Sequence, residues 1–337
     1  MDKQVFRVRL ADVARQAGVS AATVSRVLSQ PDLVAEATRQ TVLAAVEASG
    51  YRMNHAARNL RMQRTGSVVA LVPNLGNPFF SRILEGMGRE LAAAGYDLLV
   101  ADTWGEDGRH TTLARFLDPS RSDGIVLLDG LVALEGIAGR ADLPPVVSSC
   151  EWVAERGVPG VMLDNPEGAR LAMRHLLELG HLHVGLVGGP PENVLHKARL
   201  QGALEAAGAG RVTLFPGDFT LPSGEMAARQ WLALPAGARP SGIFAFSDEM
   251  ACAFISTIRR AGMVVPRDVS VIGFDDIELA SYLAPALTTI RQPKREMGRK
   301  AAQLILHRIA GREVAPVTLL PPRLMLRETT APVSPSA

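Results

Sequence analysis

ADVARQAGVSAATVSRVL, residues 11–28, is the stretch on which the reading of the chain turns. Apolar positions recur three and four apart on either side of Gly18, with no strand-like alternation, which predicts two short helices around a tight turn. Ala14 is small where two helices would cross, Gly18 accepts a backbone conformation that other residues resist, and Val24 and Val27 pin the second helix to the first. Ser20 stands where a helix N-cap belongs. This packing turns Ala21, Ala22, Ser25 and Arg26 outward. Such a helix start suits the major groove of DNA, where Arg26 can pair with guanine edges and the alanines can meet thymine methyls.

Outward from this stretch, Leu10, Val13, Ala14 and Ala17 mark the first helix, Val24, Val27 and Leu28 form the inward stripe of the second, and Pro31 closes it. A third helix is predicted over Glu36–Ser49, burying Val42, Ala45 and Val46 and stopping at Gly50. Three such helices make a minimal core and assign residues 1–53 to one small helix-turn-helix domain. Met1–Gly66 carries ten Lys or Arg against five Asp or Glu, whereas the rest of the 337 residues carries 26 against 29. A basic head on a mildly acidic body fits a chain that brings one part to phosphates. A solvated basic face would give the same asymmetry, so the helix pattern weighs more than the charge.

Beyond Gly66 the pattern changes to apolar runs separated by amphipathic helices, which predicts parallel strands with helices on both faces. The runs are VVALVP from Val68, DLLVAD from Asp97, DGIVLLD from Asp123 and PVVSS from Pro145, with a helix over Phe79–Ala94 between the first two. The series then restarts with HVGLVGG from His183, VTLF from Val212, GIFAFSD from Gly242 and VSVIGFDD from Val269. Helices near Ala198–Ala207, Gly224–Leu234 and Met250–Ala261 join this second set. A restarting series favours two open α/β lobes enclosing a cleft over one long dinucleotide-binding sheet. The two-lobed body is assigned to 66–330. Tyr51–Thr65 is basic, short and weakly helical, giving a hinge and linker at 54–65, and residues 331–337 read as a flexible tail.

Cys150 and Cys252 are far apart and in no paired spacing, which suggests neither a disulfide framework nor a zinc site. Charges run through the N-terminal MDKQVFRVRLADVARQAG, and no apolar run approaches a membrane-spanning length. A cytoplasmic chain with no membrane partner is expected. His181 and His183 lie two apart without a third ligand nearby, so no metal is expected. GGPPEN lacks the Lys-Ser/Thr of a phosphate loop, no GxGxxG follows a strand, and no nucleophile has an identifiable base. No cofactor and no catalytic residue is therefore assigned, and an enzyme is not expected. The rival readings are a soluble sugar-binding protein of a transport system and an α/β enzyme with an accessory head.

VSAATVSRVL, followed by VAEATRQTVLAAVEASGY and NHAARNLR, resembles the head of the LacI/GalR family of bacterial transcription regulators. The likeness continues through PNLGNPFFSRILEGM, VMLDN, LGHLHVGLVGG, RLQG, FSDEMA, VSVIGFDD, LAPALTTIRQP and MGRKAAQLIL, and so covers nearly the whole chain. It is closest to the cytidine- and purine-responsive members, notably at PFFS, RLQG, GDF and FSD. The resemblance implies a body like the periplasmic sugar-binding proteins, with three chain crossings between lobes. It implies a repressor that binds a pseudo-palindromic operator in double-stranded DNA as a homodimer, under a small-molecule effector such as a nucleoside or sugar, acting as inducer or corepressor.

By the same resemblance Ala21, Ala22 and Arg26 read or clamp the groove, while Ser20, Thr23 and Ser25 contact phosphates. The hinge helix falls at Asn54–Arg61, with Asn54 and Ala57 on DNA and Leu60 as the wedge that unstacks a central base step. Arg9 and Ala35 depart from the family, which caps the first and third helices with Thr or Ser; each lost cap costs about 1 kcal/mol locally.

In the body, Phe80 follows the first strand and Phe219 follows Gly-Asp in the second lobe, so each can offer an aromatic face to a cleft. The matching residues of relatives stack on the ligand; two ordinary core phenylalanines are the plainer alternative. Arg199 matches a family arginine that donates to ligand oxygens, and Asp275 a carboxylate that accepts from hydroxyl or amine groups, although the two would also serve as a structural ion pair. Asn77, Phe79 and Ser247 are further contributors. Cys150 stands near a position where purine-binding relatives carry an acid.

Overall fold

The computed structural model describes residues 8–51, 64–104, 108–132, 134, 140, 142–152 and 158–333. The chain divides into two compact units, Met1–Arg64 and Thr65–Ala337. The hinge assigned at Asn54, Ala57 and Leu60 lies outside the described residues.

The first unit holds α1 (Leu10–Gln16), α2 (Ala21–Ser29) and α3 (Glu36–Ser49). Gly18 takes φ +65°, a left-handed value that costs glycine nothing and lets the chain reverse between α1 and α2. Val13, Ala14, Val24, Val27, Val42 and Ala45 are buried together, with Val46 only partly covered at their edge. The two missing caps have different outcomes. Arg9 offers no acceptor, but the Asp12 carboxylate reaches back to its N–H at 3.0 Å, whereas Ala35 leaves the start of α3 without a side-chain cap.

The second unit is built from two six-stranded sheets. Chain order runs β1 (Ser67–Val72), α4 (Phe79–Ala93), β2 (Asp97–Asp102), α5 (Gly108–Phe116), β3 (Gly124–Leu127), β4 (Val146–Ser149) and β5 (Gly160–Leu163). It continues with α6 (Asn165–Glu178), β6 (Val184–Val187), α7 (Val194–Ala207), β7 (Val212–Phe215), α8 (Leu221–Ala233), β8 (Gly242–Ala245), α9 (Asp248–Arg260) and β9 (Ser270–Asp275). The last elements are β10 (Thr288–Arg291), α10 (Lys294–Ile309), β11 (Val317–Leu320) and β12 (Arg323–Met325). The first sheet has the order β11-β5-β4-β3-β1-β2 and the second β12-β10-β9-β8-β6-β7. The strand order therefore reverses beside β1 in one lobe and beside β6 in the other, and crevices open at the carboxyl ends of strands at such points. The expected pair of parallel sheets is modified at one edge, because β12 runs antiparallel to β10, with Thr289 opposite Met325. Strands β3, β4, β6, β8 and β9 are buried along their length, as strands covered by helices on both faces must be.

The chain crosses between lobes three times, after β5, after β10 and after β11, and the Asp164 N–H donates to the Leu320 carbonyl at 2.9 Å, tying the first crossing to the third. The apolar runs do not single out α5, β5, α6, β10, α10, β11 or β12, and the three crossings are implied by the resemblance alone. Residues 331–333 of the expected tail are held: Ala331 exchanges hydrogen bonds with Ser270, its carbonyl accepts from His181 Nε2 at 3.0 Å, and the Val333 N–H donates to the Leu179 carbonyl.

Helix α10 returns to the first lobe and packs on α4 at very short range. A Cβ on Gly298 would sit 1.9 Å from the Ile83 carbonyl oxygen, and one on Gly86 would sit 2.1 Å from that of Arg295. Backbone on a helix cannot move aside as a side-chain tip can. Gly298→Ala is expected to lower stability by about 1–3 kcal/mol or more, read from urea unfolding of the full chain; an unchanged midpoint would show that the helices do not meet this closely.

Candidate functional site

Between the lobes of the second unit lies a cavity of about 240 Å³. Asn77, Phe79, Phe80, Trp104, Asp129 and Glu151 line it from the first lobe, and Asn193, Arg199, Phe219, Ser247 and Asp275 from the second. All seven side chains assigned from the sequence to a ligand thus face one space. Six of them stand in or near the segments that follow strands, and Arg199 projects from within α7.

After β1, the Asn77 side-chain oxygen accepts from the Phe79 N–H at 2.8 Å, closing a turn that starts α4. Phe79 and Phe80 meet edge to face with ring centroids 5.1 Å apart. Phe219 takes φ +67°, an unfavourable value for a bulky residue, and its ring rests on Gly189, where a Cβ would come within 2.2 Å of the ring edge. The Ser247 hydroxyl accepts from the Met250 N–H at 3.2 Å and caps α9, so one of its lone pairs is committed and its proton is left for a ligand.

Arg199 is 2% exposed. Its Nε donates to Asn165 Oδ1 at 2.9 Å and another nitrogen donates to the Phe246 carbonyl. Its guanidinium lies 3.7 Å from the centroid of the Phe274 ring and 5.8 Å from that of Phe219. Burial pulls the guanidinium down to about 10, against the pull of Asp275 and Glu151 in the other direction. Asp275, at φ +125° on the end of β9, accepts from Gln292 Nε2 at 2.7 Å; burial pushes its carboxyl up while Arg199 and Lys294 hold it down. Arg199 and Asp275 are therefore close enough to feel each other without a direct ion pair, and both keep capacity for a ligand.

Several lining residues were not singled out from the sequence. Glu151, beside Cys150, accepts from the Gly130 N–H at 2.7 Å and from Asn193 Nδ2 across the cleft at 3.0 Å, and burial pushes its carboxyl up. Asn193 in turn caps α7 through its oxygen, 2.7 Å from the Leu195 N–H. Asp129 pairs with Arg109 at 2.7 Å, and Trp104 is half exposed at the rim. Asn193 carried a legible signal, a capping residue before a helix, whereas Glu151 falls after a strand with no periodic mark. Cys150 is buried with its thiol pushed up to about 12, which leaves it without nucleophilic character. His181 is engaged by the Ser241 hydroxyl at 2.9 Å and the Ala331 carbonyl at 3.0 Å. Among the described residues no cluster of His, Cys, Asp and Glu is arranged to hold a metal ion.

Aromatic walls with a few fixed donors and acceptors, and no activated nucleophile among them, suit reversible binding of a ring-bearing polar molecule. The first unit offers a different surface. Ala21, Ala22 and Arg26 are exposed on α2, while Thr23 and Ser25 are half-buried. The Ser20 oxygen accepts from the Thr23 N–H at 3.1 Å, capping the helix, and lies 2.9 Å from the Thr23 hydroxyl, so the two hydroxyls are already engaged with each other at the start of α2.

Residues 9–54 match the family profile described as bacterial regulatory proteins, lacI family, and residues 173–330 match a periplasmic binding protein-like domain. The chain is 36% identical over 318 residues to the HTH-type transcriptional repressor CytR of Escherichia coli K12, covering 93% of each protein. It is 38% identical over 307 residues to the HTH-type transcriptional repressor PurR of Photobacterium profundum, covering 88% of this chain and 91% of that protein. Among solved structures, the lac repressor dimer bound to operator and the anti-inducer ONPF superposes with a TM-score of 0.82 at 28% identity, covering 96% of this chain and 99% of that one.

Asp248, behind the cleft, accepts from the Ile277 N–H at 2.8 Å and from the Thr289 hydroxyl, and burial, with Asp275 adding to it, pushes its carboxyl up. A raised value means that the folded chain holds the proton more tightly than the unfolded chain, whose aspartates titrate near about 4. The associated stability is present at low pH and is lost as pH rises through the folded value. In Asp248→Asn the amide keeps an acceptor for Ile277 and gives a donor to Thr289. This variant is expected to lose less Tm than the parent chain between about pH 5 and about pH 8, and equal losses would remove Asp248 as a contributor.

Proposed function

Because the chain belongs to the lacI family of bacterial regulators, and is a DNA-binding transcription regulator under effector control, we propose that its two sites divide that work as follows. The start of α2 enters the major groove, with Arg26 and the alanines 21 and 22 against base edges and Ser20, Thr23 and Ser25 toward phosphates. Asn54, Ala57 and Leu60 act from the hinge on the minor groove. Two copies bind together, since a twofold protein pair demands matching half-sites in the operator.

The interlobe cavity holds the effector. A flat or cyclic ligand lies between Phe80 and Phe219, its oxygens take donors from Arg199, and its hydroxyl or amine groups donate to Asp275. Asn77, Phe79 and Ser247 complete the wall. Nucleosides and sugars combine a ring with vicinal hydroxyls and fit this chemistry. The single observation that carries the reading is the convergence of seven side chains from both lobes on one cavity, in a chain that also carries a helix-turn-helix unit with an exposed arginine. Both relatives are HTH-type transcriptional repressors, which supports a regulator over an enzyme. Among the described residues no helix is long and apolar enough to cross a membrane, and work on DNA supports a cytoplasmic location.

The test combines two measurements. Gel shift on DNA upstream of the protein's own coding region should show retardation that weakens with salt, and Arg26→Ala should lose about 1–3 kcal/mol of specific affinity. A thermal-shift panel of nucleosides, purines, pentoses and hexoses should include a compound that raises Tm in the parent chain and not in Arg199→Ala. No retardation at low salt would sink the DNA assignment, and an equal Tm rise in Arg199→Ala would remove that residue from the pocket.

A further inference from the structure

Asp275 and Asp276 have consecutive positive φ values, +125° and +53°, and neither is glycine. Such conformations are unfavourable for residues that carry a side chain and persist only where the surroundings over-determine them. Here the surroundings come largely from the chain crossing that follows β10. Gln292, 4% exposed, holds the Asp275 carboxylate, and Arg291 together with Arg327 holds that of Asp276. The two carbonyls of the turn converge on one group, the Lys294 ammonium, which donates to Asp275 O and, at 2.7 Å, to Asp276 O. Lys294 is 8% exposed, so without it these carbonyls would be left facing little water.

Lys294 is also the first residue of α10, a first-lobe helix fixed by its close packing on α4. Its side chain grips a turn of the second lobe. A change in the angle between lobes must therefore either carry the Asp275–Asp276 turn along or pull the ammonium off it. Asp275 itself lines the cavity. From this geometry we infer that Lys294 is a positioning residue that sets the Asp275 carboxylate for the effector and links effector contact there to the angle between the lobes. The link to the effector rests on the reading of the cavity given above; the hold on the turn does not.

The variants Lys294→Met, Lys294→Gln and Lys294→Arg in the full chain test both parts. In ligand-free protein, hydrogen exchange at the Asp276 and Ile277 amides is expected to quicken at least about tenfold in the Met variant relative to the parent chain. The buried strand β8 serves as the internal control, and the Arg variant should restore protection. Unchanged exchange at 276–277 overturns the inference. Should the Met variant fail to fold, the Gln variant, whose single amide can reach one carbonyl, takes its place with the same expected direction.

The second arm uses cytidine or ribose, whichever raises the Tm of the parent chain, at a concentration saturating by calorimetry for each variant. The ratio of operator affinities with and without the probe is expected to fall toward one in the Met variant and to recover in the Arg variant. A ratio equal to that of the parent chain overturns the coupling, since a purely structural lysine would shift Tm and leave this ratio alone. If the parent chain itself binds neither probe nor DNA, the functional reading fails, and the exchange arm still decides the hold of Lys294 on the turn.

Discussion

A guanidinium and a carboxylate taken out of water within one cavity, Arg199 and Asp275, are the constraint around which the rest of the second unit is arranged. Either charge alone would be too costly to bury. Each is held in place by neutral partners: Asn165, the Phe246 carbonyl and the face of Phe274 for the arginine, Gln292 for the aspartate. These partners come from α6, the residue after β8, β9 and the crossing after β10, so satisfying two charges draws four parts of the chain to the same place. The field between the two charges makes up part of the desolvation cost and leaves donor and acceptor directions unused. A ligand with complementary hydroxyls then completes hydrogen bonding that the protein alone leaves incomplete, which is a physical reason for affinity without any reactive group.

Much of this was legible in the residues. The apolar spacing around Gly18 located the three head helices, and α3 spans Glu36–Ser49 as its pattern indicates. The restart of strands at His183 separated two lobes, because a second switch point requires a second first strand. Arg199, Asp275, Phe80 and Phe219 were found by resemblance and by the rule that ligands gather at the carboxyl ends of strands. What stayed hidden has a common cause. Glu151 and Asn193 matter through a hydrogen bond between lobes, and β12 pairs antiparallel through a return of the chain; neither is a local pattern, so no window of sequence reveals it. Trp104 and Arg109 belong to a loop and a helix whose meaning comes only from what they face.

The strained residues show the same division. Cys150, Phe219, Asp275 and Asp276, all with positive φ, lie at or next to the cavity, whereas the remaining positive values among the described residues are at glycine. Sequence propensity argues against each of them. Tertiary contacts override that preference where a side chain must be turned into the cleft, as Gly189 does by leaving room for the Phe219 ring.

The three crossings have one further consequence, for the order in which the protein can be completed during synthesis. The first lobe begins at β1 but takes α10 and β11 from residues 294–320, after the whole central part of the second lobe has been made. The second lobe, in turn, receives β12 and the bonds to Ala331 and Val333 from the last stretch of chain. Neither lobe is a contiguous segment able to close as soon as it leaves the ribosome, unlike the head, whose three helices are consecutive. The DNA-reading unit thus acquires its native core before either lobe, and the effector-binding lobes finish together, only once the chain to about residue 333 has emerged.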